Sequence, residues 1–215
     1  MNQYKQKILE FQDNIFSFKD VQVGQEVVSR VIKSFPIICE LCSGAGNHLI
    51  ELAKHDKARL FIGFELRFKR VYRTIEKAKA NNIANRVLVM NCPCELFNEF
   101  FPERSLDGVY INFPDPWAKT RQKKHRLLSQ NFLAKLALRI KIGGFFSFKT
   151  DHMEYFESVL VLLNSIQDFK IIRETTDLYN SEYLAENIQT EFEAMFLREN
   201  SPICYVLANI IKAEG

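Results

Sequence analysis

Short apolar runs alternate along this chain with longer stretches of helical periodicity, and this alternation constrains the fold more than any other feature. It is typical of a mostly parallel sheet covered by helices, because each parallel strand needs a long crossover to reach the next. The predicted strands are Pro36–Cys42, Arg59–Glu65, Val87–Asn91, Leu106–Ile111, Gly143–Thr150, Phe169–Glu174 and Ile203–Ile210. The predicted helices are Gln25–Lys33, Asn47–His55, Phe68–Asn82, Cys94–Phe101, Gln130–Ile140, His152–Gln167 and Thr190–Arg198.

These elements predict an α/β fold of the doubly wound type, a mostly parallel seven-stranded sheet with helices on both faces. We expect residues 1–35 to form an N-terminal extension with a lead-in helix and residues 36–215 to form one domain, since no Pro/Gly/Ser-rich linker interrupts them. No apolar run approaches the roughly 20 residues of a membrane span. Glu10 and Asp13 interrupt the apolar stretch near the start, so no secretory signal is predicted and the expectation is a cytoplasmic protein.

Polar or turn residues follow five of the predicted strands at the point where each strand ends. They are Glu40–Gly46, Glu65, Asn91–Cys94, Asn112–Trp117 and Thr150–Asp151. In a doubly wound sheet, ligands bind beyond the carboxyl ends of the strands, where the strand order reverses. These five segments are therefore predicted to meet at one binding site.

The first of these segments, ELCSGAGNHL, is predicted to bind an adenosyl cofactor. Gly44 and Gly46 allow a sharp turn and close approach to a ligand, and Glu65 follows Gly46 by 19 residues, where an acid accepts ribose hydroxyls. A dinucleotide fingerprint needs a third glycine where this chain has Leu49, and no Walker-type Gly-Lys-Ser/Thr is present. Because Glu40 could face a positively charged amino group, S-adenosylmethionine suits the site better than a phosphate ligand.

The segment INFPDPWAKTRQKKHR after the fourth predicted strand combines a rigid turn with a cluster of cations. Pro114 and Pro116 restrict the backbone around Asp115. Lys119 to Arg126 contains five cations and no acid, and Arg67 to Lys79 contains six cations and one acid, although the whole chain carries only +3. Two basic segments on an otherwise acidic chain indicate a polyanionic partner. A solvated helix face and a flexible loop remain the alternative interpretation.

Five cysteines raise the question of a metal site. Cys39 and Cys42 form C-x2-C, and Cys92 and Cys94 form C-x-C, which together could supply four zinc ligands. Cys39, however, lies within an apolar strand, where a cysteine is an ordinary small core residue. We therefore expect reduced thiols and no metal.

The motif SLDGVYINFPDPW, followed by K-x-R-x-x-K, resembles the bacterial tRNA (guanine-N(7)-)-methyltransferases, which have a Rossmann-like fold and use S-adenosylmethionine. The resemblance runs from about Pro36 to Leu207 and includes the Thr150–Asp151 pair and T-x-F-E at Thr190–Glu193. It implies methyl transfer to nitrogen 7 of a guanosine in the tRNA variable loop. It also implies a monomer or homodimer without an obligate protein partner.

The resemblance further implies a role for individual residues. Glu40, Glu65 and the Gly44–Gly46 turn would hold the cofactor, and Asp115 would lie beside both cofactor and guanine as the catalytic residue. The implied substrate-binding residues are Lys119, Arg121, Asp151, Thr190, Glu191, Phe192 and Glu193. Lys123, Lys124 and Arg126 would join Arg121 in binding RNA phosphates.

Two positions depart from the family pattern. Cys42 stands where the family usually has glycine, and Pro93 stands where it usually has aspartate. Asn91 and the backbone of Cys92 or Cys94 are then the candidates for contacting the adenine amino group. The departures also leave open a tRNA-binding protein without turnover, and the Pro-Asp-Pro-aromatic loop leaves open a methyltransferase of another acceptor.

Overall fold

The structure is a computed structural model that describes residues 3–11, 13–17 and 21–212. Eight strands in this part of the chain form one sheet in the order β1-β4-β3-β2-β5-β6-β8-β7. Their bounds are β1 Ile15–Ser17, β2 Ile37–Leu41, β3 Leu60–Phe64, β4 Val87–Asn91, β5 Leu106–Asn112, β6 Ile140–Thr150, β7 Phe169–Thr175 and β8 Cys204–Ile210. Strands β1 to β6 pair in parallel, whereas β8 runs antiparallel to both β6 and β7.

Eight α-helices within the described ranges connect and cover these strands. Their bounds are α1 Gln3–Lys7, α2 Val21–Val31, α3 Asn47–His55, α4 Phe68–Ala80, α5 Phe97–Phe100, α6 Gln130–Arg139, α7 Met153–Ser165 and α8 Glu191–Arg198. Short 3-10 helices occupy Ile8–Phe11, Ala84–Arg86, Cys94–Leu96, Thr120–His125, Leu178–Asn180 and Glu182–Glu186. Within the described residues, no helix is both long enough and apolar enough to cross a bilayer.

The doubly wound α/β class is confirmed, but the predicted count of seven strands is wrong. The strand that was not predicted is β1, which pairs in parallel with β4 at the edge of the sheet. The Asn14 side chain, directly before β1, donates to the carbonyls of Ala84 (2.7 Å) and Val87 (3.1 Å) and so holds β1 at this edge. Three residues are too few to establish a periodicity, so this strand could not be predicted from the pattern of apolar residues. The basic segment Lys119–Arg126, for which no helix was predicted, contains a short 3-10 helix at Thr120–His125.

Alternating side chains of the central strands fill a core on each face of the sheet. On β2, Ile37, Cys39 and Leu41 join the larger cluster beneath α6 and α7, whereas Ile38 joins the cluster beneath α3 and α4. All five β2 residues are buried, as expected for a strand covered on both faces. Cys39 is thus a core residue, and the described residues contain no group of three or more potential metal ligands.

The strand order reverses at β2, which lies between β3 and β5. Helices from the two neighbouring crossovers therefore cover opposite faces of the sheet, and a crevice opens at the carboxyl ends of β2 and β5. The polar strand-end segments predicted from the sequence lie along this edge, which places the candidate site.

Candidate active site

The turn between β2 and α3 is built on two left-handed glycines. Gly44 has φ of 57° and Gly46 has φ of 74°. A Cβ on Gly46 would lie 2.4 Å from Cγ2 of the buried Thr74, so α4 packs too closely against the turn for any larger residue. A Cβ on Gly44 would meet no atom within 4 Å, which leaves open space above this part of the turn.

Lys77 holds the same turn from the side of α4. Its Nζ donates to the carbonyl of Ala45 (2.8 Å) and to the side-chain oxygen of Asn47. Burial lowers the pKa of Lys77. One cation of the first basic segment therefore stabilises the turn and is not part of an exposed basic surface.

Glu40 is buried beneath this turn and keeps one carboxylate oxygen without a partner. Its Oε1 accepts from Asn112 Nδ2 (3.0 Å) and lies 3.0 Å from His48 Nδ1. Among the residues that the structure describes, neither Glu40 Oε2 nor Asn112 Oδ1 has a hydrogen-bond partner. Buried polar atoms are normally paired, so an orphaned acceptor pair marks a place where a ligand supplies a donor.

Two adjoining clefts run along the carboxyl ends of the strands and share Cys42. The inner cleft is lined by the residues around the glycine turn, including Glu40, Gly44, Asn47, Asn112, Glu191 and Phe192. The outer cleft, of about 400 Å³, is lined by residues from the ends of β3, β4 and β5, including Glu65, Cys92, Pro93, Cys94, Asp115 and Trp117.

Glu65 borders the outer cleft with its carboxylate fixed by the backbone. Its Oε1 accepts from the amide of Arg67 (2.7 Å), and its Oε2 lies 3.6 Å from Arg70. Asn91 lies below, where its Nδ2 donates to the carbonyls of Glu65 and Leu66, both at 3.0 Å. Asn91 thus fixes the Glu65 turn, while Cys92, Pro93 and Cys94 line the cleft itself.

Cys42 and Cys94 meet where the two clefts join. Cys42 has a left-handed backbone with φ of 59°, and its amide donates to Sγ of Cys94 at 3.0 Å. The two sulfur atoms are also 3.0 Å apart. Cys42 therefore has a backbone conformation that glycine adopts more readily, and its side chain contacts Cys94 in the loop after β4.

The residues that line the two clefts supply contacts of the kind that S-adenosylmethionine, the cofactor that the sequence implies, requires, although the inner cleft encloses only about 20 Å³. The inner cleft offers the orphaned Glu40 Oε2 to a cationic amino group and open space above Gly44. The outer cleft offers the Glu65 carboxylate to ribose hydroxyls, with Pro93 and Cys94 beyond it.

Asp115 lies at the rim of the outer cleft on a constrained loop. Phe113 and Trp117, on either side of it, have φ of 49° and 42°, and the Trp117 amide donates to Asp115 Oδ1 (3.2 Å). The Phe113 ring stacks on Phe196 of α8 with centroids 5.4 Å apart. The loop is thereby fixed to α8, and the Asp115 side chain is exposed at the cleft.

The basic segment after this loop contains two kinds of cation. Lys119, Arg121 and Lys124 are exposed. Arg126 instead donates from Nε to the carbonyl of Pro116 (2.8 Å) and from Nη2 to Glu154 (2.6 Å), and Lys123 also binds Glu154 (2.8 Å). Hydrogen bonds from Arg126 and Lys123 lower the pKa of Glu154 to about 2.

The Thr190–Glu193 segment forms the start of α8, and two of its four side chains are committed to that role. Thr190 and Glu193 form a reciprocal capping box. Glu193 is fully buried and also accepts from Lys149 (3.1 Å) and Asn187 (2.8 Å). Three members of the segment, Thr190, Glu191 and Phe192, line the inner cleft.

Asp151 lies beyond β6 and lines neither cleft. It is half-buried, and burial raises the pKa of its carboxyl. The adjacent His152 caps α7 by accepting from the Tyr155 amide (3.2 Å). Asp151 is therefore held at the start of α7, on the same edge of the sheet as the clefts.

A family model described as a putative methyltransferase matches residues 34–206 of this chain. The match covers the sheet from β2 to the middle of β8, together with every residue that lines the two clefts. The chain belongs to this family.

Curated relatives of the methyltransferase cover most of its length. A tRNA (guanine-N(7)-)-methyltransferase of Bdellovibrio bacteriovorus is 35% identical over 177 residues, which are 80% of this chain and 82% of the relative. A bifunctional glycosyltransferase/methyltransferase of Fusobacterium nucleatum is 36% identical over 210 residues. That match covers 95% of this chain but only 32% of the relative, so the chain spans about a third of that protein.

Solved structures share the fold of the methyltransferase at lower sequence identity. A putative methyltransferase from Streptococcus mutans in complex with SAH has a TM-score of 0.56 and 14% identity. The alignment covers 89% of this chain and 97% of that chain. At this identity the likeness establishes the fold alone.

Four residues that shape the site received no individual role in the sequence analysis, although Asn112 was placed at the site with the segment that it begins. His48 and Asn112 hold Glu40, and Lys149 and Glu154 hold α8 and the basic segment. Asn112 alone carried a usable signal, since a polar residue closes an otherwise apolar strand. Lys149 and Glu154 pair with residues 44 and 28 positions away, which no local pattern indicates. His48 belongs to no metal-binding or catalytic motif that could have drawn attention to it.

Proposed function

We propose that this chain transfers a methyl group from S-adenosylmethionine to nitrogen 7 of a guanosine in tRNA, forming 7-methylguanosine. The observation that carries the proposal is the position of Asp115, exposed on a rigid loop that joins the cofactor cleft to a segment of free cations. The curated relatives named tRNA (guanine-N(7)-)-methyltransferase, at 32–36% identity, support the same reaction.

In this proposal residues of both clefts would hold the cofactor. Glu40 holds the methionyl amino group through Oε2, Gly44 leaves room for the chain of the methionine, and Glu65 accepts the ribose hydroxyls. The backbone of Cys92 and Cys94 takes the place of the missing acid at Pro93 beside the adenine. When bound, the cofactor supplies an electrophilic methyl group on a sulfonium.

The acceptor nitrogen needs no general base. Nitrogen 7 of guanine has an in-plane lone pair and no proton, so catalysis consists of aligning the nucleophile with the methyl group and of stabilising charge. The guanine becomes cationic as the bond forms. Asp115, whose loop is fixed by Arg126 and by Phe113, is placed to stabilise this developing positive charge.

The RNA surface in this proposal consists of the exposed cations beside Asp115. Lys119, Arg121 and Lys124 contact phosphates, and Glu191 and Phe192 of the inner cleft border the base, whereas Asp151 lies outside both clefts on the same edge of the sheet. The major groove of A-form RNA is too deep and narrow for side chains to reach nitrogen 7 in a regular duplex. The target guanosine therefore lies in an irregular region such as the variable loop.

We propose the same domain division that the sequence predicts, with residues 36–215 as the methyltransferase domain and residues 1–35 as an extension to it. The family match from residue 34 supports the boundary. The same proposal includes a cytoplasmic location. It also includes a monomer or homodimer without an obligate protein partner, since tRNA is the only macromolecule that the proposed reaction requires.

The proposal is tested by incubating the chain with labelled S-adenosylmethionine and an unmodified tRNA transcript, followed by digestion to nucleosides. We expect label in 7-methylguanosine and its loss when the variable-loop guanosine is replaced by adenosine. Label in another nucleoside would assign a different acceptor atom. No label despite measurable tRNA binding would favour a binding protein without turnover.

A further inference from the structure

Cys42 and Cys94 form a pair of nucleophilic side chains in the cofactor cleft that the proposed reaction does not use. Of the five cysteines, all within the described residues, Cys39, Cys92 and Cys204 are buried, whereas Cys42 and Cys94 are partly exposed. Both line the outer cleft, and Cys42 also lines the inner cleft. A dissolved small molecule that enters the cleft therefore has access to this pair.

We propose that Cys42 and Cys94 form a reversible dithiol–disulfide site, oxidised by hydrogen peroxide, whose disulfide form binds S-adenosylmethionine less tightly than the reduced form does. The geometry carries this assignment, because the two sulfur atoms already lie 3.0 Å apart. A disulfide bond requires about 2.05 Å, so the loop after β4 needs to move by only about 1 Å.

The contacts of the pair assign different roles to the two sulfurs. Sγ of Cys94 accepts from the Cys42 amide at 3.0 Å and also lies 3.0 Å from the Cys42 sulfur, so a backbone donor is in place to stabilise a thiolate on Cys94. The hydrogen bond to Cys94 and burial raise the pKa of the Cys42 thiol well above its usual range. Since the thiolate is the nucleophile, Cys94 attacks first and Cys42 resolves.

The reaction balances with one peroxide molecule. The Cys94 thiolate attacks a peroxide oxygen, the O–O bond breaks, and the departing hydroxide takes a proton to form water, which leaves Cys94 as a sulfenic acid. The Cys42 sulfur then attacks the Cys94 sulfur, the S–O bond breaks, and the hydroxide leaves as water with the Cys42 proton. Two thiols are oxidised to a disulfide while hydrogen peroxide is reduced to two water molecules.

The effect on the cofactor follows from where the pair lies, and in this respect the inference rests on the proposed cofactor placement. A cofactor that reaches from Glu40 to Glu65 has to pass the junction at Cys42. Closing the disulfide draws the loop at 92–95 toward the glycine turn and narrows that junction. By thermodynamic linkage, bound S-adenosylmethionine must then oppose oxidation as strongly as oxidation opposes binding.

The test uses the full chain, fully reduced and then exposed to hydrogen peroxide, with and without saturating S-adenosylmethionine. Free thiols are alkylated, the chain is digested, and linked peptides are identified by mass spectrometry. We expect a Cys42–Cys94 link whose formation is suppressed by the cofactor. Calorimetry should give an affinity about tenfold lower in the oxidised form, restored by dithiothreitol.

Three variants make the test specific. Cys42→Gly places the residue that most readily adopts φ of 59° at that position, so folding is not threatened, and its cofactor affinity should no longer respond to peroxide. Cys94→Ala should behave in the same way. Cys204→Ala, which removes a buried cysteine on β8, should keep the full peroxide response.

Several outcomes would overturn the proposal: no linked peptide, a link between other cysteines, unchanged affinity in the linked form, or a peroxide response that persists in Cys42→Gly. The tRNA methylation assay on the reduced chain distinguishes this failure from failure of the proposed function. If the reduced chain binds the cofactor and loses affinity after peroxide treatment but does not methylate tRNA, the proposed function is refuted and the redox site is supported.

Discussion

Glu40 is buried with one carboxylate oxygen saturated by its neighbours and the other left without a donor. Leaving a buried acceptor unpaired costs stability, so the residue is best understood as prepared for a ligand. His48 and Asn112 fix the orientation of the carboxylate before any ligand arrives. This is the residue on which the cofactor assignment depends most directly.

We expect Glu40→Gln to raise the dissociation constant for S-adenosylmethionine by about 10- to 100-fold, because a hydrogen bond to a charged group contributes about 1.5–3 kcal/mol. Isothermal titration calorimetry measures the change, and thermal unfolding verifies that the variant folds. Glu51→Gln is the matched control, since Glu51 lies on α3 in an exposed ion pair with Lys54. An unchanged dissociation constant in Glu40→Gln would refute the assigned role.

Asp115→Asn keeps the size of the side chain and removes its charge. If the carboxylate stabilises the methylated guanine as it becomes cationic, single-turnover methylation should slow by about 10²- to 10³-fold. The affinity for tRNA should change little, because the phosphate contacts lie elsewhere. A loss of tRNA affinity as large as the loss of rate would show that Asp115 binds substrate without acting in the transition state.

At the scale of elements, the basic segment divides into cations that position the loop and cations that are free. Arg121 is exposed, whereas the Arg126 side chain is 8% exposed and contacts Pro116, Glu154 and the ring of Tyr155. The two residues have the same charge and lie five positions apart in the chain. They form a natural pair for separating electrostatic binding from loop positioning.

Arg121→Ala should weaken tRNA binding and lower the slope of log affinity against log salt by about one, as the loss of one phosphate contact requires. Arg126→Ala should leave that slope nearly unchanged and instead lower kcat, because the Pro116 carbonyl loses its donor. Filter binding at several salt concentrations and single-turnover rates measure the two effects. Equal slopes and equal rates in both variants would contradict the division.

Helix α8 is fixed by the buried ion pair between Lys149 on β6 and Glu193. Glu193→Gln should lower the free energy of unfolding by about 3–5 kcal/mol, since it leaves a buried ammonium without its counter-charge. Lys149→Met should cost a similar amount, although Lys149 has no proposed contact with RNA. Chemical denaturation measures both. If Glu193→Gln had the same free energy of unfolding as the unchanged chain and altered only the KM for tRNA, Glu193 would contact the base and would not stabilise α8.

At the scale of the whole molecule, the sequence predicted what is encoded locally. The periodicity of apolar residues predicted seven strands and most of the helix bounds. The polar residues at the ends of the strands predicted the edge of the sheet that holds the site. Strand β1 was missed because it has three residues. The ion pairs Arg126–Glu154 and Lys149–Glu193 were missed because their partners are 28 and 44 positions apart, and only tertiary structure brings them together.

The central claim is that the sheet edge holds S-adenosylmethionine so that nitrogen 7 of a tRNA guanosine attacks its methyl group. The most direct measurement compares methyl transfer to a tRNA with guanosine at the target position and to the same tRNA with 7-deazaguanosine there. The analogue has a carbon in place of the nucleophilic nitrogen and leaves the rest of the base unchanged. We predict transfer to the first and none to the second, with similar binding of both. Equal transfer to both would contradict the account.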